Sequence, residues 1–337
     1  MSNKKIILVL LLVSVLVISG CAADESASTE GIEEITIGYF PNLNNGQGLV
    51  GVAEGIFQEE FGDDVKVNVK TFPRGAVFMD ALATDQIDIG YIGPAPAINR
   101  FLQGGDVKIL GNASIGGNVI VTAGDGTITS PEDFNHKRIA TPGIACSHDL
   151  VLRRWMWDND LRMENHGGTI EHIIQDPATM IGLFEQGQIE GAAIAEPWAS
   201  RMEDEIGAEV FVEWDDLPWE GRMPATVIAT TNEFFAGNEE AVKTFLRAHQ
   251  RVTDYINNNR QESLELMQSE IKRITDQELS LDILDRSLNR TEFTSVLDEG
   301  IMQELAEISK ELGVISGDVS IEGLIDTTLL EEFLDNN

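Results

Sequence analysis

ALATDQIDIGYIGPAPA, residues 81–97, carries a complete fold unit in one line. Ala81–Ala83 closes a helical pattern that begins at Gly75, and Thr84-Asp85-Gln86 is a polar turn. Ile87–Ile92 is then a short segment of strand length, apolar at Ile87, Ile89, Tyr91 and Ile92 and bounded by turn signals on both sides. Gly93-Pro94-Ala95-Pro96 follows at once and reads as a rigid loop, because the prolines fix φ and the glycine permits close backbone approach. Outward from this stretch the same alternation recurs. Ile35–Tyr39 and Val65–Val69 read as strands, Leu49–Phe61 as a helix, and Val107–Leu110 and Val119–Val121 as further strands. Strand–helix–strand alternation predicts an α/β protein with a mostly parallel sheet covered on both faces.

A second set of elements begins near residue 128. Ser130-Pro131-Glu132-Asp133 has the chemistry of a helix start, with Ser at the cap, Pro in the first position and acid in the first turn. Arg138–Ala140, Ile170–Ile174, Ile189–Ile194 and Val210–Val212 read as strands, separated by helices at Asp149–Trp157, after Asp176-Pro177 and after Glu196-Pro197-Trp198. Thr226–Thr230 is one more strand, and 238–337 is helical in pattern. The expected layout is one lobe from 33–121 and 226–337 and another from 122–225. The chain then crosses between lobes twice, which makes a hinge with a ligand cleft beside it.

Composition narrows the function. Lys plus Arg number 23 against 57 Asp plus Glu, a net charge of −34. Such a surface repels phosphates, so nucleic acid is excluded as a partner, and it favours a soluble monomer. Whether the acidity reflects salt or pH adaptation stays open.

Lys4 and Lys5 precede an apolar run from Ile6 to Ile18, a signal peptide over 1–20 that is too short for a well-built membrane span. Ile18-Ser19-Gly20-Cys21 resembles the lipobox of prokaryotic lipoproteins, which implies a lipidated Cys21, a tether over 21–32 and a protein held at the outer face of the cell membrane or in the periplasm. Cys146 is the only other cysteine, so a lipidated Cys21 leaves no intramolecular disulfide.

Several segments, in order, are similar to the nitrate/sulfonate/taurine-type substrate-binding proteins of ABC transporters, and most of all to the alkanesulfonate branch. They are Ile37–Asn42, Ala81–Gly90, Tyr91–Asn99 and Glu196-Pro197-Trp198. The resemblance implies a two-lobe periplasmic-binding-protein fold of type II, an ABC permease and ATPase as partners, and no catalysis. It places the ligand, a small anion such as an aliphatic sulfonate or taurine, on the loops that follow the strands of each lobe. Ligands of open α/β sheets do sit beyond the carboxyl ends of the strands, where helix N-termini receive anions.

Four segments have that character. Asn42, Asn44 and Gln47 offer side-chain amides, or form a solvated turn. Arg74 and Gly75 stand where the family often has a Ser-Gly pair. Arg74 is either a bidentate partner for an anion or a surface cation. Gly93 and Pro94 follow a strand, with Gly117 and Asn118 as a facing wall or as structural turns. Cys146, Ser147 and His148 lead into a helix, in a loop that in the family supplies hydroxyls and amides. Ser147 is the best contact, Cys146 is a small buried residue or a contact, and His148 could carry positive charge. The resemblance also turns Glu196 and Trp198 toward the cleft, Glu196 suiting an amino group and Trp198 an alkyl chain or the core.

Two other readings stay open. Relatives of this family bind thiamine-type pyrimidines by aromatic stacking, and Trp198, Trp214 and Trp219 keep a heteroaromatic ligand in view. A pyrimidine synthase-like enzyme on the same fold is disfavoured, since that lineage uses a cysteine-rich segment. Ser147-His148-Asp149 has the residue types of a hydrolase triad, but consecutive residues cannot face one another as a triad requires. His166 and His172 lack a matching ligand set for a metal, and no Gly-x-Gly-x-x-Gly or P-loop marks a cofactor.

Overall fold

The computed structural model describes residues 31–335. The stretch read as a signal peptide, Cys21 and most of the expected tether lie outside the described residues. The chain opens with β1 (Glu34–Tyr39), α1 (Gly46–Ala53), α2 (Ile56–Phe61), β2 (Lys66–Thr71), α3 (Gly75–Leu82), β3 (Ile89–Ile92), α4 (Pro94–Leu102) and β4 (Lys108–Gly116). It continues with β5 (Asn118–Thr122), β6 (Arg138–Thr141), α5 (Ser147–Asp158), β7 (Glu171–Ile174), α6 (Pro177–Glu185), β8 (Gly191–Ala195), α7 (Trp198–Ile206) and β9 (Glu209–Val212). It ends with β10 (Pro224–Thr230), α8 (Asn232–Gly237), α9 (Glu239–Asn258), α10 (Arg260–Thr275), α11 (Leu281–Leu288), β11 (Thr291–Phe293), α12 (Glu299–Glu311) and α13 (Thr328–Asp335).

The strands form two sheets, ordered β11-β4-β10-β3-β1-β2 and β7-β6-β8-β5-β9. Both are mixed but mostly parallel, with β1, β2, β3 and β4 running one way in the first and β6, β7, β8 and β9 one way in the second. β1 pairs in parallel with β2 and β3, but β10 runs antiparallel to β3 and β4, and β11 to β4. In the second sheet β6 is parallel to β7 and β8, while β5 is antiparallel to β8 and β9. The reversed strands β5 and β10 are the first that the chain lays down after each crossing, and β11 is added later at the edge of the first sheet.

Three local expectations need correction. The helix expected over Leu49–Phe61 is two, because Gly55 adopts φ +81°, outside the helical region. Pro94 does not lie in a loop. It is the first residue of α4, the one helical position where a missing N–H costs nothing. Val119–Val121 belongs to the second sheet, so the chain leaves the first lobe at Gly116–Gly117 rather than after residue 121. It returns at Pro224.

α9 and α10 pack on α1 and α2, so most of the helical C-terminal segment completes the first lobe. α12 packs on both α4 and α5. One hydrophobic cluster therefore runs from Phe78 and Ile98 of the first lobe through Ile301 and Leu305 to Leu150 and Trp155 of the second. The lobes are in contact along this edge.

At the first crossing Gly116 and Gly117 both have positive φ, +72° and +64°. A Cβ on Gly117 would lie 1.9 Å from Asn44 Oδ1. The Gly117 N–H donates to the Arg290 carbonyl, and its carbonyl accepts from the Glu196 N–H at 2.8 Å. Gly117→Ala meets both a left-handed backbone and buried neighbours, and is expected to cost at least about 2 kcal/mol of stability. Urea unfolding reads this directly. A variant as stable as the parent would show that the crossing relaxes freely.

Candidate functional site

A cavity of about 660 Å³ lies between the lobes. Its walls are the segments that follow the strands. After β1 come Phe40, Asn42, Asn44 and Asn45, after β2 Pro73–Val77, and after β3 Gly93 and Pro96. The second lobe contributes Pro142–His148 after β6, Ile174 and Pro177 around the end of β7, and Trp198 after β8.

Helices α3 and α5 point their N-termini into this cavity from opposite lobes, and neither has a side-chain cap. The first N–H groups of a helix have no partner within it, and its dipole adds roughly half a positive charge there. Two such ends facing one space attract negative charge without any side-chain cation. α4 differs, although it also starts at the cavity. Pro94 and Pro96 carry no N–H, and the Ala95 N–H donates to Ser147 Oγ at 3.3 Å. Its first turn is spent on holding the lobes together.

Of the residues singled out in the sequence, Asn42, Asn44, Arg74, Gly75, Gly93, Cys146, Ser147, His148 and Trp198 line the cavity. Ser147 Oγ accepts from Ala95, which leaves its hydroxyl hydrogen free to donate to a ligand. Gly93 is required at this contact, because a Cβ there would lie 2.6 Å from Ser147 Oγ. Asn44 Nδ2 donates to Asn118 Oδ1 at 3.2 Å, while Asn44 Oδ1 is buried without a partner. Trp198 is 8% exposed, with one side in the core of the second lobe and Arg201 over its ring at 5.6 Å.

His148 departs from expectation, and Cys146 and Arg74 take the plainer of the roles open to them. Burial lowers the His148 pKa to about 4, so near neutral pH the ring is an uncharged hydrogen-bonding group rather than a cation. Its Nε2 has no partner. Burial, with the Asp149 carboxylate adding to it, pushes the Cys146 thiol up to about 12, so Cys146 is not a reactive thiolate. Arg74 lies at the rim, half exposed, and pairs across the cleft with Asp176 at 3.6 Å.

The remaining five lie behind the walls. Gln47 is fully buried, its Nε2 donating to the Ala113 carbonyl at 2.7 Å and to Thr253 Oγ1 at 3.2 Å. Pro94 starts α4, Gly117 sits in the crossing, and Asn118 buttresses Asn44. Glu196 does not face the cavity as an amine receptor would. It is fully buried, ion-paired to Arg290 Nη1 at 2.8 Å, and accepts from the Ser200 N–H at 3.0 Å and the Ser287 hydroxyl at 3.1 Å. Trp214 and Trp219 are also elsewhere. Trp219 Nε1 donates to Glu304 at 2.7 Å, and Trp214 packs on Gly116 and Gly221.

Several lining residues escaped the sequence reading, among them Phe40, Asn99, Arg100, Gln103 and Thr226. Phe40 had a signal, since it follows β1 directly. The stripe on α4 had none while Pro94 and Pro96 read as a loop.

The cavity loop after β6 rests on a buried network. Asp149 Oδ2 accepts from the Ala145 N–H at 2.7 Å, and Ala145 holds φ +53°, an uncommon backbone for a residue with a side chain. Asp149 Oδ1 accepts from Arg153 Nε at 2.7 Å. Arg153 reaches His172 Nδ1 at 3.4 Å, and His172 Nε2 lies 2.7 Å from Thr141 Oγ1. Since arginine only donates, Nδ1 accepts and Nε2 carries the proton, so Thr141 is free to donate to the Gly143 carbonyl at 3.2 Å. No group of three or more His, Cys, Asp or Glu among the described residues is placed to hold a metal ion. No helix among them is long and apolar enough to cross a membrane.

The chain matches the NMT1-like family over residues 28–268. A binding protein of Brucella abortus (strain 2308) is 28% identical over 210 residues, 62% of each chain. The taurine-binding periplasmic protein of Escherichia coli (strain K12) is 26% identical over 202 residues, 59% of each chain. The match thus spans about three fifths of these curated relatives' length. Among solved structures, the alkanesulfonate-binding protein SsuA from Xanthomonas axonopodis pv. citri, bound to MOPS, is similar with a TM-score of 0.74 at 17% identity. The likeness covers 87% of this chain and 98% of that one. At that identity the likeness is one of fold, and the fold is the two-lobe periplasmic-binding-protein fold. The family match takes in both sheets except β11, and with it every segment that carried the resemblance in the sequence; this chain belongs to the NMT1-like family.

Proposed function

We propose that this protein is the extracytoplasmic solute-binding component of an ABC importer, which binds a small organic anion such as an aliphatic sulfonate between its lobes and delivers it to a permease and ATPase. The observation that carries the reading is the inter-lobe cavity faced by the uncapped N-termini of α3 and α5. Ser147 donates its hydroxyl hydrogen and His148 an uncharged ring nitrogen beside those amides. Phe40 and Trp198 hold the body of the ligand. The names of the relatives support binding without catalysis and a taurine- or sulfonate-type ligand. The lipobox-like Cys21 supports a lipid anchor that keeps the protein near its transporter as a monomer.

Phe40 and Trp198 on one cavity also favour, as a second reading, a flat heteroaromatic ligand held by stacking. Thermal unfolding with a panel of taurine, linear alkanesulfonates, nitrate and aminopyrimidines separates the readings. Stabilisation follows RT ln(1 + [L]/Kd), so a ligand at a hundred times its Kd adds about 2.7 kcal/mol. A shift with sulfonates is expected. A shift with pyrimidines alone would move the protein to the second reading, and none with any compound would end both.

A further inference from the structure

Pro96, Asn99, Arg100 and Gln103 all line the cavity. Their spacing places them on one stripe of α4, which beyond Pro96 is a polar wall of Asn99, Arg100 and Gln103. Gly93, at the start of this wall, touches Ser147 and so marks the end where α5 begins. Arg100 stands about 10 Å further along the helix, at a rise of about 1.5 Å per residue.

Arg100 is unusual in this molecule. Among the arginines of the described residues it alone makes neither an ion pair nor a side-chain hydrogen bond. In a chain with 57 acidic residues against 23 basic ones, a lone guanidinium is unexpected. Arg162 and Arg247, which also lack a carboxylate, bond the Leu161 carbonyl and Thr244 Oγ1. Arg100 Nε is buried and unpartnered. Its stem lies across Gly105, where a Cβ would come within 2.6 Å of Nε, so the absence of a side chain at 105 is what seats it. Asp80 of α3 lines the same cavity and makes no ion pair with it. Beside it Asn99 is 8% exposed. Its Nδ2 donates to the Ala145 carbonyl at 3.2 Å, and its Oδ1 has no partner. A buried donor on a permanent cation without an acceptor costs stability unless something else supplies one.

We propose that Arg100 is a second anion subsite of the cleft, and that the ligand is an elongated molecule with an acidic group at each end. One acid sits at the N-termini of α3 and α5 and the other forms a bidentate pair with the Arg100 guanidinium. This rests on the reading of the cleft as an anion site, and adds that the anion is double-ended.

Octanesulfonate and its ω-carboxylated counterpart test the idea by calorimetry on the full chain at one fixed ionic strength. The carboxylated compound is expected to bind about tenfold more tightly, the effect of one charge-assisted pair. In Arg100→Gln that ratio should fall to near one, and in Arg100→Lys it should be intermediate, because a lysine gives one point contact in place of a fork. Equal binding of the two compounds to the parent, or an undiminished ratio in Arg100→Gln, overturns the subsite while leaving the sulfonate reading in place. Failure of both compounds, and of every other acid, to bind removes the anion reading and the subsite together. Thermal unfolding of Arg100→Gln without ligand shows that the variant is folded. Its midpoint should equal or exceed the parent's, since an unpaired buried donor has been removed.

Discussion

Arg290→Ala should lower the stability of the protein by about 3–5 kcal/mol, the cost of leaving a buried charge unpaired. Arg290 is held on three sides. Its Nη1 lies 2.8 Å from Glu196 and 2.9 Å from Glu203, and its Nη2 lies 2.9 Å from Glu213. Burial alone would lower the guanidinium's pKa, but hydrogen bonds to Glu203, Glu213 and Glu196 outweigh it and raise the pKa above its usual value. Glu203 and Glu213 are partly exposed and can turn to water when the cation is gone. Glu196 is fully buried and cannot. It keeps the Ser200 and Ser287 hydrogen bonds but loses its counter-ion. Against a typical domain stability of about 5–15 kcal/mol the loss is large. Urea unfolding measures it, and a loss below about 1 kcal/mol would show that Glu196 finds water or another cation. Replacing both partners, Arg290→Met with Glu196→Leu, should restore most of the stability, since no charge is then stranded. The site of damage matters for function. Glu196 lies in the second lobe beside the Gly117 crossing and Arg290 in the first, so the pair pins the hinge rather than the ligand.

Asp149→Ala should be about as costly, roughly 3–5 kcal/mol by the same reasoning. Here the stranded charge is Arg153, 2% exposed, with only His166, His172 and the empty side of residue 149 around it. The variant has a second effect that Arg290→Ala does not share. Asp149 Oδ2 holds the Ala145 N–H in a left-handed turn, so its loss frees the Pro142–His148 loop that walls the cavity. Ligand affinity should fall at temperatures where the variant is still folded. Asp149→Asn separates the two effects. The amide oxygen can still accept from Ala145, so loop position should survive better than stability. Unchanged affinity in a folded Asp149→Ala variant would mean that the loop is held by other contacts.

Much of this was legible in the sequence for physical reasons. Ile87–Ile92 reads as a strand from its shortness and the turn signals on both sides, and Ile89–Ile92 is one. Ser147 and Gly75 could be placed on the cleft because each follows a strand and starts a helix. What was misread depended on partners far away in sequence. Val119–Val121 reads as the last strand of the first lobe, and only its pairing with Ala192, Ala193 and Ile194 shows that it belongs to the second sheet. Glu196 looks like a cleft residue until Arg290 is brought to it by tertiary folding. Arg74 drew attention as the cation beside a helix N-terminus, but Asp176, a hundred residues on, takes it up at the rim. Arg100 was hidden by two prolines that read as a loop and in fact begin α4.

The converging N-termini of α3 and α5 also bear on how such a site can evolve. A head group held by main-chain amides is held by atoms that every sequence possesses, so drift in the surrounding side chains leaves its recognition intact. Substitutions in the walls, at Phe40, Asn99, Arg100 or Trp198, can then sample new ligand bodies while the grip on the acid is retained. On the proposed reading of the cleft, capture and selectivity are carried by separate parts of the chain, and a lineage can exchange one ligand for another without passing through a form that binds nothing.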